Sequence, residues 1–554
     1  MIACSFCARR PSPLRLAAGL LLAVLLIPSV LAAQVTRSWA VRYERLNDPG
    51  SGCSASFLNS GGATASGRNA LAADAAGNAY FTGATYAGAT MDVLTVKYDS
   101  QGVVQWAVQY DGGSADCGYA VAVDAGGNVY VAGQSWTETQ FGQQGYVLVV
   151  KYNASGVEQW ATRYVGGVLS GGFALAVDGS GNAYVAGEYY ADDDRHLMMT
   201  LKLSTAGAIQ WVTWAFHGYD YEESSAYDLA LDGSGNAYVT GLLYKPYELD
   251  SFDYMTVKYS PSGATLWNRA YSTGGFGFEA AYDVAVDGSG NVHVAGTSGV
   301  VRYDSAGTQQ WVGAFDGVAR AMINVGGFVY ATGMSGNDIV TARYDGTGAR
   351  LWSTSYDLGG TEGAHALRLV GDSLYVAGRS DADALLVGFD KDSGASTLAD
   401  LYDSGAEDRV YSMAFTGTSD LWVAGITGGN FLYDYLTIKY TVAASGPTLS
   451  ALTLSPPTFP GGCKTSTGHV TLTGPAPAGG AVVSLANTNP AASLPASVTV
   501  PAGATTAKFT ITGVVVTSNQ TGTATAQYGG VSKSARLTVR PIGPRACPSR
   551  RTRP

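Results

Sequence analysis

The chain has 554 residues, of which 46% are hydrophobic and 14% are charged, and it contains 73 glycines and 34 tyrosines. This composition excludes an intrinsically disordered chain, and the length allows two or more domains with cores of their own. The formal net charge of -10 argues against a protein that binds nucleic acid.

Residues 1–33 have the pattern of a secretory signal peptide. Arg9, Arg10 and Arg15 precede an apolar run over 16–27, and small residues follow up to Ala33. The run is too short to cross a bilayer, and no later segment has the roughly 20 apolar residues of a transmembrane helix. We therefore expect a mature protein that is secreted or held on the surface of a bacterium.

Four cysteines follow the signal peptide, at Cys53, Cys117, Cys463 and Cys547. In an oxidising compartment they are expected to form two disulfides. Proximity in the sequence favours the pairs Cys53–Cys117 and Cys463–Cys547, while the sequence alone leaves the other pairings open. The spacings fit neither a zinc site nor a haem attachment.

Residues 34–446 contain a repeat with the core sequence GNAYVAG. Each repeat holds four strand candidates, of which the third resembles TVKY and the fourth carries a tryptophan followed four residues later by an aromatic residue, as in Trp106 and Tyr110. Short strands at this period predict an all-β fold, a β-propeller in which each repeat forms one blade. The last glycine of the core sequence recurs at intervals of 37 to 55 residues, at Gly83, Gly133, Gly187, Gly241, Gly296, Gly333, Gly378 and Gly425.

The two ends of the repeat region complement each other. Residues 38–43 read SWAVRY, which matches the fourth strand QWAVQY at 105–110, whereas the region ends with the third strand LTIKYT at 436–441. The N-terminal strand is therefore predicted to complete the last blade and close the ring. This count predicts eight blades, with Leu398 in place of the tryptophan of the seventh repeat. Seven blades form instead if the short repeat near Gly333 is not a complete blade.

The composition changes at residue 447. Residues 447–554 contain nine basic residues and no acidic one, whereas 34–446 contain all 43 acidic residues and 21 basic ones. Alternating short strands predict an antiparallel β-sandwich over 447–541, and the basic residues 542–554 are expected to form a disordered tail. We expect the basic region to associate with anionic envelope polymers or with the acidic repeats.

Both parts of the chain resemble known families. The pattern D-x-x-G-N-x-Y-V-x-G, followed by TVKYD-x-x-G-x-x-x-W, is similar to the bacterial β-propeller repeats often called SBBP, over residues 39–440. Residues 447–541 resemble bacterial Ig-like modules. The resemblances imply a propeller, an Ig-like sandwich and an extracellular setting, and they imply no activity. The last three repeats depart from the pattern by placing Phe328, Ser373 and Asp420 where the others have asparagine.

The repeated loop DGSGN is the first candidate site. Each copy offers a single aspartate, and ring symmetry places the copies on different blades, so that they cannot share one metal ion. Aspartate and asparagine as turn formers, with glycine for a positive φ, predict a hairpin turn in each blade instead. The aspartates are Asp74, Asp124, Asp178, Asp232 and Asp287.

Other candidates lie where the repeats differ. Asp192, Asp193 and Asp194 form the densest acidic run, which is either a weak calcium site or a solvated loop, and we favour the loop. Variable loops after second strands carry aromatic residues that are weak candidates for a ligand-binding surface: Trp136, Tyr189, Tyr190 and Tyr247. An aspartate also recurs five residues before the basic position of the third strand, where we predict hydrogen bonding at the start of the strand: Asp92, Asp253, Asp338, Asp383 and Asp434.

These observations predict a monomeric, non-catalytic protein that needs no cofactor and binds a protein or a glycan through its propeller. The five histidines are scattered, no HExxH motif is present, and His293 occupies a strand position that is tyrosine in other repeats. The alternative is a propeller enzyme that acts on polysaccharide, or a quinone-dependent oxidoreductase, since KYDSQGVVQW at 97–106 is similar in style to repeats of such dehydrogenases. Carboxylates or histidines clustered at one end of the channel would distinguish the enzyme.

Overall fold

The computed structural model describes residues 35–43, 70–87, 90–113, 115–139, 142–165, 170–190, 195–215, 223–245, 251–274, 277–416, 420–429, 432–442, 447–476, 479–528 and 531–542. These residues form strands and turns, and none of them belongs to a helix with the length and hydropathy that crossing a bilayer requires. The chain divides into two compact units, Ala32–Ser445 and a second that includes Gly446–Pro554.

The described residues of the first unit form eight four-stranded antiparallel sheets. Its N-terminal strand, β1 (Val35–Tyr43), belongs to the last of them. Sheet 1 contains β2 (Leu71–Ala73), β3 (Ala79–Ala87), β4 (Thr90–Tyr98) and β5 (Val104–Tyr110). Sheet 2 contains β6 (Asp116–Val123), β7 (Val129–Thr139), β8 (Gly142–Tyr152) and β9 (Glu158–Val165). Sheet 3 contains β10 (Gly171–Val177), β11 (Ala183–Tyr190), β12 (His196–Leu203) and β13 (Ile209–Trp214). Sheet 4 contains β14 (Glu223–Leu231), β15 (Ala237–Lys245), β16 (Ser251–Tyr259) and β17 (Thr265–Tyr271).

The remaining four sheets follow the same order along the chain. Sheet 5 contains β18 (Ala281–Val286), β19 (Val292–Gly296), β20 (Gly299–Tyr303) and β21 (Gln309–Gly313). Sheet 6 contains β22 (Val318–Val325), β23 (Phe328–Ser335), β24 (Asp338–Tyr344) and β25 (Arg350–Tyr356). Sheet 7 contains β26 (Glu362–Val370), β27 (Ser373–Ser380), β28 (Asp383–Asp390) and β29 (Ser396–Tyr402). Sheet 8 contains β30 (Glu407–Thr416), β31 (Asp420–Gly429), β32 (Leu432–Val442) and β1.

The sheets close into a ring. The strand β1 pairs antiparallel with β32, with Ala40 opposite Ile438. The first strand of each sheet contacts the first strands of the sheets before and after it, and β30 contacts β2. The eight first strands therefore surround one axis, which is the arrangement of a β-propeller.

Burial follows from this stacking of sheets. The middle strands of a sheet pack against neighbours on both faces, and all five residues of β19 are buried. The outermost strand has a different pattern, and in β5 exposed residues alternate with half-buried ones. Hydrophobic cores form between adjacent sheets, as where Tyr184 of sheet 3 packs with Val239 of sheet 4.

The DGSGN loops form the turns between first and second strands. In sheet 3, Asp178 Oδ1 accepts hydrogen bonds from the amides of Ser180 and Asn182, both at 2.9 Å, and Oδ2 accepts one from Asn182 Nδ2 at 2.8 Å. Gly181 has a φ of 84°. Burial raises the pKa of Asp178, but the hydrogen bonds from Asn182 hold that pKa below its ordinary value. The same bonds form at Asp74, Asp124, Asp232 and Asp287, so the predicted turn is confirmed.

Three side chains at one level of a sheet connect it to the next sheet. In sheet 3, Tyr184, Lys202 and Trp211 lie side by side on the second, third and fourth strands. Lys202 Nζ lies 4.7 Å from the centre of the Tyr184 ring. Lys202 Nζ and Trp211 Nε1 both donate to the carbonyl oxygen of Pro261 in sheet 4, at 3.3 and 3.0 Å. We call this arrangement the cross-strand ladder.

The cross-strand ladder recurs in seven of the eight sheets. In sheet 7 its positions are taken by Tyr375, Gly388 and Leu398, so that the cation and the indole are both missing there. The other ladders are Tyr80–Lys97–Trp106, Tyr130–Lys151–Trp160, Tyr238–Lys258–Trp267, His293–Arg302–Trp311, Tyr330–Arg343–Trp352 and, across the closing pair of strands, Trp422–Lys439–Trp39.

The turn that receives each ladder needs a glycine. Gly263 in sheet 4 has a φ of 86°, and a Cβ at this residue would lie 2.7 Å from Cγ of Trp211 in sheet 3. A Cβ on Gly102 in sheet 1 would likewise overlap the ring of Trp39, which lies in sheet 8. Trp39 therefore packs on sheet 1 in the way that every other ladder tryptophan packs on its next sheet.

The second unit has nine strands in two sheets. They are β33 (Leu449–Ser455), β34 (Thr458–Pro460), β35 (Thr465–Leu472), β36 (Ala481–Asn487), β37 (Ala492–Ser493), β38 (Ser497–Val500), β39 (Thr506–Gly513), β40 (Gln520–Tyr528) and β41 (Val531–Arg540). One sheet has the order β33, β35, β39, β37, and the other has the order β34, β41, β40, β36, β38. Alternate residues are buried, as in β36, and both sheets contribute to one core that includes Phe509 and Leu537.

Replacing Gly263 by alanine tests the contact between sheets 3 and 4. Alanine at a positive φ costs about 1–2 kcal/mol, and overlap with a packed side chain adds about 1–3 kcal/mol. Gly274→Ala is the matched control, because Gly274 has a φ of 80° and no atom lies within 4 Å of the place that its Cβ would take. Denaturant unfolding should show a larger loss of stability for Gly263→Ala than for Gly274→Ala. Equal losses would show that the indole contact contributes nothing.

Candidate functional site

The two ends of the ring differ in how much their loops vary. Because strands reverse direction within each sheet, the turns between first and second strands and between third and fourth strands lie at one end, which we call the turn face. The connections from second to third strands, and from one sheet to the next, lie at the opposite end, the connection face. The sequence differences between repeats are concentrated in these connections, so the connection face is where a specific site is expected.

Three predicted ligand-binding aromatics lie at the connection face, and each packs within the protein. Half-buried Trp136 packs against a cluster that contains Tyr119 and Phe173. The Tyr189 ring lies 5.6 Å from the ring of Trp214. The structure therefore gives Trp136 and Tyr189 a packing role at the ends of their sheets.

Tyr190 is the third of these aromatics. Its ring lies 4.7 Å from the ring of His196 in an edge-to-face arrangement, and His196 Nδ1 also contacts a carboxylate oxygen of Glu188. Burial lowers the pKa of His196 below its ordinary value, although the charge of Glu223 opposes this shift. Tyr190 thus belongs to a small polar cluster where sheet 3 meets the connection face.

Several predicted residues lie outside the part of the chain that the structure describes. They include the acidic run with its calcium candidates, one aromatic candidate and one cysteine of each predicted disulfide. Both disulfides and the calcium site therefore stay predictions. The residues are Asp192, Asp193, Asp194, Tyr247, Cys53 and Cys547.

Near the axis of the ring, residues of the first strands interrupt the pairing with the second strands. In each of sheets 2 to 8 the register between first and second strands shifts by one residue, which leaves one residue of the first strand unpaired. Such bulges redirect a side chain out of the regular pleat. We call these seven residues the bulge ring: Tyr119, Phe173, Tyr227, Tyr282, Arg320, His365 and Tyr411.

Neighbouring members of the bulge ring touch each other across the sheet boundaries. The rings of Tyr227 and Tyr282 are stacked with centres 5.9 Å apart, and the Arg320 guanidinium carbon lies 4.7 Å from the Tyr282 ring centre. The rings of His365 and Tyr411 are 5.1 Å apart. These contacts join the first strands of adjacent sheets, which surround the axis.

Two aspartates next to the bulge ring connect adjacent first strands. Asp228 Oδ2 accepts a hydrogen bond from the amide of Val284 at 3.0 Å, and Asp283 Oδ2 accepts one from the amide of Met322 at 2.7 Å. Burial and the charge of Asp283 raise the pKa of Asp228 well above its ordinary value. Each carboxylate therefore binds a backbone amide of the following sheet.

Arg368 adds a positive charge near these aspartates. Its side chain is accessible to solvent, yet the surrounding protein atoms desolvate the guanidinium and lower its pKa, while Asp283 and Asp228 oppose that shift. Solvent access together with desolvation is what we expect of a side chain inside a narrow channel. The axis thus combines aromatic, cationic and acidic groups.

Three aspartates at the starts of third strands meet further acidic residues at the connection face. Each group joins the first acidic residue of a third strand, a residue just after the fourth strand of that sheet, and a residue at the start of the next sheet. One carboxylate oxygen from each member lies within 4.8 Å of the others, and the groups are Asp92–Asp111–Asp116, Asp338–Asp357–Glu362 and Asp383–Asp403–Asp408. The sequence interpretation placed the first members on separate blades and missed their acidic neighbours.

The pattern that marks these groups is present in the sequence. An acidic residue follows the fourth-strand tyrosine directly at Asp111, Asp357 and Asp403. The predicted hydrogen bond at the start of a third strand occurs at Asp338, which accepts one from Ser355 at 3.1 Å. At Asp92, in contrast, burial and the charges of its two acidic neighbours raise the pKa to about 6.

His293 occupies the second-strand position that tyrosine fills in six other sheets. It is buried in β19, and its ring lies 5.8 Å from the ring of Trp311. Asn324 Nδ2 lies 2.9 Å from His293 Nδ1. Burial and the nearby Arg302 lower the pKa of His293 to about 4, so the ring is neutral in the folded protein at neutral pH. The prediction that His293 is a structural residue of a strand is confirmed.

The chain was compared with known proteins. No family model matches it, and no curated protein does. Among solved structures, it is similar to Sqt1 from Chaetomium thermophilum (12% identity, 68% of this chain and 96% of that one, TM-score 0.45). It is also similar to the dihydro-heme d1 dehydrogenase NirN (13%, 73% and 79%, TM-score 0.43) and to the polysaccharide lyase Uly1 (10%, 68% and 90%, TM-score 0.41). Likenesses this distant assign no activity to the chain.

Replacing His293 by tyrosine tests the histidine in the ladder of sheet 5. Between pH 6.5 and about 4 the unfolded chain binds a proton at this residue and the folded chain does not, so wild-type stability falls as the pH falls through this window. His293→Tyr removes the effect, and the variant should gain up to about 3 kcal/mol relative to wild type between pH 7 and pH 4. Denaturant unfolding at several pH values measures the difference, and a difference that does not change with pH would contradict the account.

Proposed function

We propose that this chain is a secreted or surface-held bacterial binding protein with no catalytic activity. In this proposal the SBBP-like repeats form an eight-bladed propeller over residues 34–446, and residues 447–541 form an Ig-like module. The signal-peptide pattern over residues 1–33 and the resemblance of both parts to extracellular modules support the location. The propeller acts as a monomeric scaffold for a protein or glycan ligand.

The bulge ring is the observation that carries the proposed binding function. Half-buried Tyr227 and Tyr411 offer parts of their aromatic rings, and half-buried Arg320 and His365 add hydrogen-bond donors. Aromatic faces stack on sugar rings and on apolar side chains, and tyrosine and arginine dominate the binding energy of many protein interfaces. A channel lined in this way suits a ligand that has both apolar faces and polar groups.

The bulge ring also differs from sheet to sheet, unlike the ladders. Sheets 2 to 5 place aromatic residues at this position, whereas sheet 6 has Arg320 and sheet 7 has His365. Residues that every sheet needs for packing recur from sheet to sheet. Residues that recognise one ligand need not recur. The variation around the axis therefore favours recognition of an asymmetric ligand.

The groups near the axis support binding better than acid–base catalysis. A glycoside hydrolase or lyase needs carboxylates or a base that face the substrate. Asp228 and Asp283 bind backbone amides, and His365 packs against Tyr411. The enzyme alternatives, a polysaccharide-active propeller or a quinone-dependent oxidoreductase, gain no support from these contacts.

A glycan array, together with a panel of purified secreted proteins, tests the proposal with the full chain and two variants. The channel variant combines Arg320→Ala with His365→Ala, and the control, Ser180→Ala, changes an exposed residue of the turn face. A ligand should bind wild type and the control equally and the channel variant at least about tenfold more weakly, since one lost anchor costs about 1–2 kcal/mol or more. Melting temperatures show whether the variants are folded.

Two results would contradict the binding function. One is the absence of any ligand, and the other is a ligand whose affinity the channel variant leaves unchanged. The same array, run with a chain that ends at residue 446, tests the basic region: loss of salt-sensitive binding to anionic glycans supports its role, and unchanged binding removes it.

A further inference from the structure

The acidic group between sheets 6 and 7 brings together three carboxylates that differ in their exposure to solvent. Asp338 is half-buried at the start of β24, Asp357 is exposed just after β25, and Glu362 is fully buried at the start of β26. One carboxylate oxygen from each of the three lies within 4.8 Å of the others. Carboxylates of two residues of sheet 6 and one residue of sheet 7 therefore lie close together at the boundary of these sheets.

Glu362 has an unsatisfied oxygen in this group. Its Oε1 accepts a hydrogen bond from Ser380 Oγ at 2.8 Å, but Oε2 is buried and has no hydrogen-bond partner among the described residues. Within the same part of the chain, no lysine, arginine or histidine forms an ion pair with Asp338, Asp357 or Glu362. Burying a carboxylate oxygen without a partner is costly, so a positive charge at this place would stabilise the group.

Other sheet boundaries supply that compensation from their own side chains. At the boundary of sheets 1 and 2, Arg163 Nη2 lies 3.9 Å from Asp116 Oδ1. In sheet 4, Lys245 Nζ lies 2.9 Å from Asp253, which occupies the position of Asp338.

The boundary of sheets 7 and 8 uses hydrogen bonds instead. The amide of Ser404 donates to Asp408 Oδ2 at 2.7 Å, and its hydroxyl donates to Asp408 Oδ1 at 2.9 Å. Among the described groups, the one around Glu362 is thus the group whose buried carboxylate retains an unpartnered oxygen and has no ion pair.

We propose that Asp338, Asp357 and Glu362 bind a divalent cation, Ca²⁺, between sheets 6 and 7. Calcium takes six to eight oxygen ligands at about 2.3–2.6 Å, and two oxygens bound to one such ion lie at most about 5 Å apart, as these carboxylate oxygens do. A donor set of oxygen atoms alone favours Ca²⁺ over zinc, which prefers nitrogen and sulfur. Because Asp357 is exposed, water can complete the coordination.

Bound calcium would join the two sheets at the connection face. Asp338 and Asp357 belong to sheet 6, and Glu362 begins sheet 7 directly after the linking loop. The ion would cross-link the end of one sheet to the start of the next and satisfy Glu362 Oε2. Since it binds the folded ring and not the unfolded chain, calcium should also raise the melting temperature.

Terbium luminescence tests the site in the full chain, because Tb³⁺ replaces Ca²⁺ and is sensitised by nearby tyrosine. Tyr356 directly precedes Asp357 in the chain. Wild type should show saturable Tb³⁺ emission that Ca²⁺ displaces, and Glu362→Gln should bind one equivalent fewer. Glu279→Gln is the matched control, because Glu279 holds the same register position at the start of sheet 5 and accepts hydrogen bonds from Thr273.

A second variant guards against misfolding of the first. Asp357→Asn changes an exposed residue and keeps an oxygen that can accept the Gly359 amide, so it should fold and still lose the equivalent. If the Glu362→Gln variant is unfolded in the absence of metal, Asp357→Asn is the variant that decides whether the site exists. The proposal is overturned if wild type binds no Ca²⁺-displaceable Tb³⁺, if the deciding variant binds as many equivalents as wild type, or if Glu279→Gln loses the same equivalent.

Discussion

At six of the eight sheet boundaries a single backbone carbonyl receives two side-chain donors, and the ring depends on this interaction. A lysine or arginine of the third strand and a tryptophan of the fourth strand reach the same turn of the next sheet, as Lys202 and Trp211 reach Pro261. The tyrosine of the second strand carries the cation on its face. Because the donors are side chains and the acceptor is backbone, the contact tolerates different sequences in the receiving turn. It does require a glycine where the indole packs, as at Gly263.

Closure of the ring follows from the same contact. The N-terminal strand supplies Trp39 to sheet 8, where it completes a ladder with Trp422 and Lys439. Lys439 donates to the carbonyl of Ser100, and Trp39 packs on Gly102, both in sheet 1. The boundary between the last and first sheets thus carries a ladder, as the six boundaries between sheets 1 and 7 do, although its strands come from the two ends of the repeat region. The ends of the repeat region are thereby held together by pairing and packing.

The bulge ring and the acidic groups lie at positions that the ladders do not occupy. The bulge ring faces the axis, and the acidic groups lie where one sheet connects to the next. The two differ in how the protein compensates charge. Asp228 and Asp283 accept hydrogen bonds from backbone amides, and Asp116 has Arg163 beside it, whereas Glu362 has an unpartnered oxygen and no ion pair among the described residues. The missing partner distinguishes Glu362, which suits a bound cation, from the carboxylates that have a structural role.

The sequence was sufficient to predict what each repeat determines locally. The DGSGN turn, the strands and the use of SWAVRY as a closing strand follow from turn chemistry and from the repeat phase. The bulge ring could not be predicted, because the register shift depends on pairing within a sheet and on contacts with the neighbouring sheets, as between Asp228 and Val284. The acidic groups were missed because their members converge only after two sheets pack.

The account depends most directly on ring closure by the N-terminal strand. Scanning calorimetry of the chain with and without residues 34–43 measures it, since that segment contains the whole of β1 and Trp39. The account predicts that the transition of the propeller unit moves to lower temperature in the shortened chain, and that an added peptide of residues 34–43 restores it. An unchanged transition in the shortened chain would contradict it.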